Sequence, residues 1–446
     1  MKTLKELIEK YETAGPRYTS YPTAPHFSAD ADKKKLADLA LGGGGAAAFY
    51  MHIPFCKSLC WFCGCTSDVC RDQSLADKYL SLVGRELELW REAGLKRREI
   101  RQLHLGGGTP NFLEPAQIER LGAVVRKYFS VSPSCEFSAE FDPRTLTKEK
   151  VDAFAAIGVN RASIGIQDTN PEVQRAINRI QPQQMNADAA RMLRDAGVAE
   201  LNIDLIYGLP LQTPETFAKT LSDALSLNPT RVALFGYAHV PWLKPAQKNL
   251  EKYPMPAHEK KLEIFLLAKD FFEKNGFEYV GLDHFARPDD PLIEARKNGT
   301  LHRNFQGYTT QAGLDNFAVG LTSISETKTS YRQNFKTMPE YESAIARGAL
   351  PIERGIVLDA DDTLRRAVIM DVMCALKVVY GNYGVDFKKA FASAMPKLED
   401  MAKDGLVELF PDRFEVLPEG RFFLRNIAML FDGRLAKSAQ RYSKTV

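Results

Sequence analysis

Short apolar runs alternate with helix-spaced apolar positions through the first half of the chain. The runs predict strands, and they cover residues 49–53, 100–105, 136–141, 161–166, 201–207 and 231–237. Between the first two runs, Tyr79, Val83 and Leu87 recur at the spacing of one helical face. Strand–helix units in series predict a parallel sheet with helices outside it. Because six such units are fewer than a closed barrel needs, we expect an α/β fold with an incomplete (β/α)6 three-quarter TIM-type barrel.

The N-terminal segment lacks this alternation. The charged residues 1–11 predict a short surface helix. Residues 15–27 hold three prolines and two tyrosines without a period, so they predict an extended arm. Such an aromatic segment is either a surface linker or a segment that packs over another part of the molecule.

The pattern changes after the sixth predicted strand. We expect a helix over residues 256–272 and an edge strand over residues 277–282. The polar–aromatic segments 283–288 and 302–308 have no clear period, and they predict loops.

The last quarter of the chain predicts a mostly helical unit. Beyond Thr337, the spacing of Leu364, Val368 and Met373 indicates a helical bundle. The other elements expected there are a small hairpin over residues 406–409 and 413–416 and a final helix over residues 425–437. The chain thus divides into an N-terminal helix and arm (1–45), a partial barrel with a polar–aromatic loop extension (46–335) and a mostly helical C-terminal domain (336–446).

Several residues with polar, small or metal-binding character stand where the predicted strands end. They are Cys56, Gly108, Glu140, Gln167, Asp204 and Ala238. The carboxyl ends of parallel strands meet at one edge of a barrel, and the chemistry of such folds gathers there. The sequence therefore predicts that these residues share one site.

Three cysteines follow the first predicted strand with the spacing C-x3-C-x2-C. They are Cys56, Cys60 and Cys63, and the aromatic residue Phe62 precedes the last of them. Three thiolates can hold three corners of a cubane 4Fe–4S cluster and leave the fourth iron open. The amino and carboxylate groups of S-adenosylmethionine can chelate an open iron, and electron transfer through it yields a 5′-deoxyadenosyl radical. The spacing resembles the signature of the radical S-adenosylmethionine superfamily.

Zinc sites and disulfides also use cysteines. Structural zinc usually takes four ligands in paired C-x2-C form, and no second pair follows here. The odd total of seven cysteines and the absence of a signal peptide favour a reducing compartment over disulfides. We interpret Cys65 and Cys70 as non-ligands, because a fourth thiolate would close the reactive iron.

The charge balance narrows the range of partners. The 59 basic and 56 acidic residues give a net charge of +3, and the chain has no pronounced basic tract. Nucleic acid is therefore not the expected partner. No apolar run is long enough to span a bilayer. With no targeting segment at the N-terminus, we expect a cytoplasmic protein.

Residues at the other strand ends have the chemistry to hold the same cofactor. The glycines of residues 106–108 permit a close backbone approach to the ammonium group of a ligand, although such runs also form tight turns. Glu140, Gln167 and Asp204 suit ammonium and ribose hydroxyl groups, and Arg179 suits a carboxylate. Each of these residues alone is equally typical of a loop cap or a surface ion pair, but together they favour one site.

Longer blocks of sequence resemble one family, the oxygen-independent coproporphyrinogen III oxidases of anaerobic haem synthesis. The blocks are RYTSYPTA (17–24), HIPFC (52–56), FCGC (62–65), GGGTP (106–110) and NIDLIYGLP (202–210). The blocks DHFARP (283–288) and HRNFQGYTTQ (302–311) extend the resemblance into the second half. Because so many blocks occur in one order, the resemblance is specific over nearly the whole chain.

This resemblance implies an anaerobic oxidative decarboxylation. Two propionate side chains of coproporphyrinogen III become vinyl groups, which gives protoporphyrinogen IX. Two molecules of S-adenosylmethionine are bound and consumed, and the radical takes hydrogen from the propionate β-carbon. The resemblance further implies a monomer and an electron donor such as a flavodoxin or ferredoxin. No side chain is assigned as catalytic, because the radical comes from the cofactor.

The resemblance also implies roles for individual residues. The cluster ligands are Cys56, Cys60 and Cys63. The S-adenosylmethionine contacts are Tyr50, Phe62, Gly108, Thr109, Pro110, Glu140, Gln167, Arg179, Asp204, Ala238 and Ile324. The arm resembles the family segment that folds over the substrate, with Arg17, Tyr18 and Tyr21 as the substrate contacts.

Two related activities fit the same cluster motif. One is that of a haem-binding or haem-trafficking protein without the decarboxylation. The other is that of a radical enzyme that opens or methylates porphyrin. Trafficking relatives tend to lack the N-terminal arm and Cys65, whereas both are present here.

Overall fold

The computed structural model of the chain describes residues 2–435, Tyr442 and Lys444. Its strands are, in chain order, β1 (Ala47–Ile53), β2 (Phe55–Cys56), β3 (Asp68–Val69), β4 (Glu99–Gly107), β5 (Ser130–Phe141), β6 (Arg161–Gln167), β7 (Glu200–Tyr207), β8 (Arg231–Gly236), β9 (Glu278–Gly281), β10 (His284–Ala286), β11 (His302–Asn304), β12 (Gly307–Thr309), β13 (Asp315–Val319), β14 (Ile324–Glu326), β15 (Ser330–Asn334), β16 (Ile352–Val357), β17 (Lys377–Val379), β18 (Val407–Leu409) and β19 (Arg413–Val416). Its α-helices are α1 (Leu4–Tyr11), α2 (Lys33–Leu41), α3 (Ser74–Glu92), α4 (Pro115–Tyr128), α5 (Lys148–Ala156), α6 (Pro171–Ala176), α7 (Gln183–Asp195), α8 (Pro214–Ser226), α9 (His258–Lys274), α10 (Pro291–Lys297), α11 (Met338–Ala346), α12 (Ala360–Met370), α13 (Phe387–Ala390), α14 (Met395–Lys403) and α15 (Leu424–Met429).

Six parallel strands form the centre of the main sheet, in the order β1, β4, β5, β6, β7 and β8. Their spatial order follows their chain order, as expected for successive β–α–β units. The register brings strand ends side by side: Ile53 pairs with Gly107, and Tyr207 pairs with Gly236. The carboxyl ends of the six strands therefore form one edge, where the sequence predicts the site.

Helices pack on this sheet through apolar stripes. On α3, for example, Val83, Leu87 and Trp90 are buried while most of the polar residues face outward. Together with the strands, these helices enclose one large hydrophobic core. The two end strands of the sheet, β16 and β9, do not pair with each other within the described residues. The barrel is therefore open, and the predicted fold class is confirmed.

Four strands that the hydrophobic pattern does not indicate extend the sheet beyond β1. β13 is parallel to β1, and β14, β15 and β16 follow as an antiparallel meander. β15 is polar, yet all of its residues are buried. Arg332 lies over the ring of Trp90 at 4.1 Å, and Asn334 donates a hydrogen bond to the buried Glu86 at 2.8 Å. A polar strand with buried polar partners has no alternating apolar signature, so sequence periodicity misses it.

The predicted loops at 283–288 and 302–308 are wrong in part, because each contains short strands. β10 pairs with β8 and places β9 at the sheet edge, where the sequence predicts an edge strand. β11 and β12 form a separate hairpin. Three-residue strands such as β10 and β11 are too short to show a period.

The predicted helical bundle is also incomplete as a description of the C-terminal segment. β16 lies in this segment but belongs to the main sheet. The predicted hairpin is confirmed as β18 and β19, and β17 adds a third strand to it. The last described helix, α15, is shorter than the predicted helix over 425–437, part of which lies outside the described residues. The division of the chain into three parts stays a prediction.

A second hydrophobic core joins the N-terminal segment to the C-terminal elements. Leu7 of α1 and Tyr18 and Tyr21 of the arm pack in one cluster with side chains of α12, α14 and α15. The arm is extended, as predicted, apart from a 3₁₀ turn at Ala24–His26. It therefore packs on the molecule and is not a free linker.

All seven cysteines are free thiols. Among the described residues, no helix combines the length and the apolar character that crossing a membrane requires.

Candidate active site

A cavity of about 410 Å³ lies at the carboxyl ends of the parallel strands. We call it the barrel cavity. Many of the residues predicted to bind the cluster and its cofactor line it: Cys56, Cys60, Phe62, Cys63, Gly108, Thr109, Glu140, Gln167, Arg179 and Asp204. The structure thus brings residues from several distant segments into one space.

The segment that carries Cys56, Cys60 and Cys63 follows β1 directly, and we call it the cysteine loop. β2, which carries Cys56, pairs with β3, and the N–H of Cys63 donates a hydrogen bond to the Cys60 carbonyl oxygen at 3.1 Å. The Sγ of Cys56 lies 3.4 Å from Oγ1 of Thr109. Burial raises the pKa of the Cys56 thiol. A hydrogen bond with Cys65 lowers the pKa of Cys63.

Two arginines lie against Cys60. Nη2 of Arg144 is 3.3 Å from the Sγ of Cys60, and Nη1 of Arg179 is 3.4 Å from the same atom. Asp142 accepts hydrogen bonds from both guanidinium groups, at 2.6 and 3.3 Å, and holds them in place. A thiolate-bound iron–sulfur cluster is negatively charged, and adjacent cations suit that charge. The surroundings of Cys60 therefore fit a cluster ligand.

The three motif cysteines are a ligand set that suits an iron–sulfur cluster. Among the described residues, no three histidine, cysteine, aspartate or glutamate side chains converge closely enough to hold one metal ion. Cys56, Cys60 and Cys63 line the same cavity, and a set of three thiolates suits iron–sulfur chemistry.

The glycine run at the end of β4 packs against the cysteine loop. The N–H of Gly108 donates to the Ile53 carbonyl oxygen at 2.7 Å, and the N–H of Thr109 donates to the Phe55 carbonyl oxygen at 2.8 Å. A Cβ atom at Gly108 would lie 2.7 Å from the Phe55 carbonyl oxygen. The atoms that approach Gly108 so closely are thus backbone atoms of Ile53 and Phe55, and not atoms of a ligand. Because glycine has no side chain, the end of β4 can pack against the segment that leads into Cys56.

Glu140, at the end of β5, is held from two sides. Its Oε1 accepts a hydrogen bond from Nε2 of His104 at 3.1 Å, and its Oε2 accepts one from the N–H of Gly107 at 3.1 Å. Nδ1 of His104 lies 2.6 Å from Oγ of Ser138. Burial alone would raise the pKa of Glu140, but the hydrogen bonds from His104 and Gly107 and the nearby histidines together outweigh burial and lower it. The barrel cavity therefore contains a fixed carboxylate.

The ends of β6 and β7 add an amide and a second carboxylate. Gln167 lines the barrel cavity with a φ of +70°, an uncommon value for a residue other than glycine. Asp204 accepts hydrogen bonds from Ser163 at 2.9 Å and from Asn202 at 2.7 Å. Burial raises the pKa of Asp204 to about 6. Nε of Arg179 is buried and has no hydrogen-bond partner among the described residues, so this guanidinium has a donor unused.

Four predicted cofactor contacts do not line the barrel cavity. Tyr50 stacks on the ring of His104 at 5.8 Å, one layer behind the cavity wall. Pro110 begins a buried 3₁₀ turn. Ala238 lines a second cavity. Ile324, on β14, packs on a small separate apolar cluster.

The three predicted substrate contacts also lie outside the barrel cavity. Oη of Tyr18 donates a hydrogen bond to Asp432 at 2.9 Å, and Oη of Tyr21 accepts one from a backbone N–H at 3.1 Å. Both tyrosines are buried in the second core, where they hold the arm to the C-terminal elements. Arg17 instead pairs with Asp283 at 3.1 Å and lines the second cavity.

Sequence reasoning missed several polar residues of the barrel cavity, chiefly His104, Asp142 and Arg144. His104 stands between two leucines of β4, and a single polar residue in a buried strand is the signal that could have found it. Asp142 and Arg144 follow the end of β5. At such a position, cavity residues look the same in sequence as residues that cap a turn.

The chain is similar to known proteins at two levels. Residues 50–224 match the radical SAM superfamily. The chain is 41% identical to the oxygen-independent coproporphyrinogen III oxidase of Escherichia coli (strain K12), over 99% of this chain and 98% of that protein. It is 39% identical to the protein of the same name from Helicobacter pylori, over 99% of each chain.

A solved structure extends this similarity to three dimensions. It is that of the coproporphyrinogen III oxidase of Escherichia coli, described as a radical SAM enzyme. The two structures superpose with a TM-score of 0.91 and 40% sequence identity, over 97% of this chain and 99% of that chain.

Proposed function

The chain belongs to the oxygen-independent coproporphyrinogen III oxidases, a family of radical SAM enzymes, and we propose that the barrel cavity is its active site. The reaction is an anaerobic oxidative decarboxylation in haem biosynthesis. It converts two propionate side chains of coproporphyrinogen III to vinyl groups and gives protoporphyrinogen IX. We choose this cavity because the motif cysteines and the polar residues at the ends of β5, β6 and β7 all line it.

Membership of the superfamily implies a 4Fe–4S cluster and S-adenosylmethionine. In the proposal, Cys56, Cys60 and Cys63 hold three irons and leave the fourth iron to S-adenosylmethionine. When bound, these cofactors supply the 5′-deoxyadenosyl radical that takes hydrogen from the propionate β-carbon. The two arginines beside Cys60 support this ligand set, because their positive charge suits a negatively charged thiolate-bound cluster. Two molecules of S-adenosylmethionine serve the two decarboxylations.

Side chains at the strand ends bind and orient S-adenosylmethionine in this proposal. Glu140, kept ionised by His104, suits an ammonium or a ribose hydroxyl group. Arg179, whose Nε has no hydrogen-bond partner among the described residues, suits the methionyl carboxylate. Gln167 and Asp204 suit hydroxyl groups. Their neighbours hold these groups in place, so binding needs little rearrangement.

The reaction also needs an electron from outside the chain. A flavodoxin or ferredoxin is the proposed donor, as the resemblance to this family implies. A cytoplasmic location and a monomeric state remain predictions from the sequence.

An anaerobic product assay tests the function. Reconstituted protein is incubated with coproporphyrinogen III, S-adenosylmethionine and a reductant, and the tetrapyrrole and carbon dioxide are analysed. The proposed function requires carbon dioxide, vinyl groups and cleaved S-adenosylmethionine. Bound haem without turnover would instead indicate trafficking, and a modified ring without carbon dioxide would indicate another porphyrin-modifying radical enzyme.

Cys60→Ala and Cys70→Ala form a matched pair for the ligand assignment. Cys60→Ala should lose the brown colour, the iron and the cleavage of S-adenosylmethionine, because an iron loses its thiolate. Cys70→Ala should keep all three, since Cys70 is assigned as a non-ligand and does not line the barrel cavity. Full cluster content in the Cys60→Ala protein would refute the assignment.

A further inference from the structure

A second cavity, of about 360 Å³, lies between the end of β8, α9 and the C-terminal part of the chain. We call it the basic cavity. It is defined by Arg17, Lys261, Asp283, Arg421 and Arg425 in its wall. None of these described residues lines the barrel cavity.

The basic cavity adjoins the barrel cavity along β8 and β10. Phe235 and His284 line the barrel cavity, and their chain neighbours Gly236 and Asp283 line the basic cavity. Successive residues of a strand point to opposite faces, so the two cavities lie on either side of these strand ends.

A loop after β8 also connects the two cavities. Gln247 donates hydrogen bonds to the carbonyl oxygen of Ala238, in the basic cavity, at 3.3 Å and to that of Phe62, in the cysteine loop, at 3.0 Å. Lys244 donates a hydrogen bond to the Cys65 carbonyl oxygen at 2.7 Å. A ligand in the basic cavity is therefore separated from the cysteine loop by this one loop.

Positive charge dominates the wall of the basic cavity. Its described lining holds five lysine and arginine side chains and one carboxylate, that of Asp283. Asp283 is already paired with Arg17 at 3.1 Å. Arg425 donates hydrogen bonds to the carbonyl oxygens of Gly15 and Pro16, so it anchors the arm. An enclosed surplus of cations is unfavourable in the protein alone and is relieved when an anion binds.

Lys261 and Arg421 carry the charge that the described residues leave unpaired. In the described part of the chain, the side-chain ammonium group of Lys261 makes no hydrogen bond or ion pair. Nε of Arg421 is buried and has no hydrogen-bond partner among the described residues. Burial lowers the pKa of both side chains. Both groups therefore gain from a bound carboxylate.

The rest of the wall is largely aromatic. The rings belong to Tyr207, Tyr237, Trp242, Phe265 and Phe422. Aromatic walls with a few cations recognise an apolar molecule that carries carboxylates. A tetrapyrrole with propionate side chains is such a molecule. The reaction consumes two of these propionates and leaves two.

We propose that the basic cavity holds the two propionates that the reaction retains, with Lys261 and Arg421 as their charged partners. This arrangement leaves the reactive propionates for the adjoining barrel cavity. Lys261 and Arg421 are positioning residues in this scheme, because they bind the substrate away from the reacting atoms. The inference rests on the proposed function and adds the site that orients its substrate.

Binding of coproporphyrin III, the oxidised and fluorescent form of the substrate, tests this inference without turnover. Lys261→Met and Arg421→Met should each weaken its binding by about ten-fold, because each removes one charge-assisted hydrogen bond. The tetramethyl ester has no carboxylates, so it should bind the wild type and both variants equally weakly. Lys260→Met is the matched control. Lys260 precedes Lys261 on α9 but is exposed and paired with Glu263, and its loss should leave the affinity unchanged.

A conservative variant separates loss of charge from loss of fold. Lys261→Arg keeps a cation in the basic cavity, so it should restore most of the affinity for coproporphyrin III. Wild-type affinity in both methionine variants, or a loss that Lys261→Arg does not restore, would overturn the inference. Failure of the proposed function is observed separately, as a wild-type protein that forms no vinyl product in the anaerobic assay.

Discussion

His104 determines how Glu140 is presented to the barrel cavity. Its imidazole stands between Ser138 and Glu140, with contacts of 2.6 and 3.1 Å, and the ring of Tyr50 stacks on it at 5.8 Å. These neighbours fix the ring, and the ring in turn fixes the carboxylate. Support of this kind holds a binding group in position before the ligand arrives.

His104→Phe tests this support, because phenylalanine keeps a ring beside Tyr50 but cannot donate to Glu140. His104 lowers the pKa of Glu140, so its removal raises that pKa, and on acidification the carboxylate is lost at a higher pH. We expect S-adenosylmethionine to bind about ten-fold more weakly. The acid limb of its binding curve should also move to higher pH, as measured by equilibrium dialysis of the reconstituted protein. An acid limb that does not move would show that His104 has no influence on this carboxylate.

Residues with local signals could be predicted from the sequence, and residues with distant partners could not. The spacing of the cysteines and the position of Glu140 and Asp204 at strand ends are local features, and these residues do line one cavity. Tyr18 carries no such signal, because its partner Asp432 lies 414 residues further along the chain. The aromatic character of the arm is equally compatible with a substrate contact and with a buried core. In the structure, both tyrosines of the arm are buried in the second hydrophobic core.

At the scale of elements, the end of β4 and the cysteine loop form one unit. Backbone hydrogen bonds from Gly108 and Thr109 reach the carbonyl oxygens of Ile53 and Phe55, on either side of the turn into β2. The position of the cluster motif thus depends on how closely these two segments approach. Glycine at 108 permits that approach, because it has no Cβ atom.

Gly108→Ala is expected to disturb this unit. Its Cβ would lie 2.7 Å from the Phe55 carbonyl oxygen and 2.9 Å from that of Ile53, so backbone must shift. We expect a loss of about 1–3 kcal/mol in the free energy of unfolding and a lower iron content after reconstitution. Gly44→Ala is the control, because no heavy atom outside its own chain neighbours lies within 4 Å of the added Cβ. Equal iron content and stability in the two variants would contradict the proposed role of the close approach.

The six central parallel strands could be predicted because each contains a buried apolar run, whereas β14 and β15 are short and polar. Glu326 of β14 illustrates what periodicity cannot detect. Its Oε1 accepts a hydrogen bond from Oη of Tyr331 at 3.1 Å, and Arg366 lies 3.8 Å away. Burial outweighs that arginine and raises the pKa of Glu326 to about 7. A polar pair of strands therefore holds a carboxyl group that is protonated through the mildly acid range.

This shift predicts a pH dependence of stability. Because the pKa in the folded protein lies above the ordinary value of 4.5, the stability due to Glu326 is complete below about pH 4.5 and is lost as pH rises through about 7. Relative to Glu326→Gln, the wild type should lose on the order of 1–3 kcal/mol of unfolding free energy over this interval. Urea unfolding at several pH values measures it. Glu9→Gln, at an exposed position of α1, should keep the wild-type slope, and an identical slope in Glu326→Gln would contradict the prediction.

At the scale of the whole molecule, the arm links the barrel to the C-terminal elements. Arg17 pairs with Asp283 beside β10, whereas Tyr18, the next residue, is bonded to Asp432. Arg425 of α15 donates a hydrogen bond to the Pro16 carbonyl oxygen at 2.9 Å. Adjacent arm residues therefore contact both parts of the chain, and the arginine is the one that lines the basic cavity.

Arg17→Ala separates the two contributions that this arginine could make to turnover. Its loss removes a cation from the basic cavity and also breaks the ion pair with Asp283. Asp283→Ala breaks the same ion pair but leaves the cation. If Arg17 contacts a propionate, Arg17→Ala should raise KM for coproporphyrinogen III by about three- to ten-fold, while cleavage of S-adenosylmethionine without substrate persists. Asp283→Ala should then raise KM less. Equal effects of the two variants would mean that the ion pair only orders the arm, and unchanged turnover in Arg17→Ala would remove the arm from substrate binding.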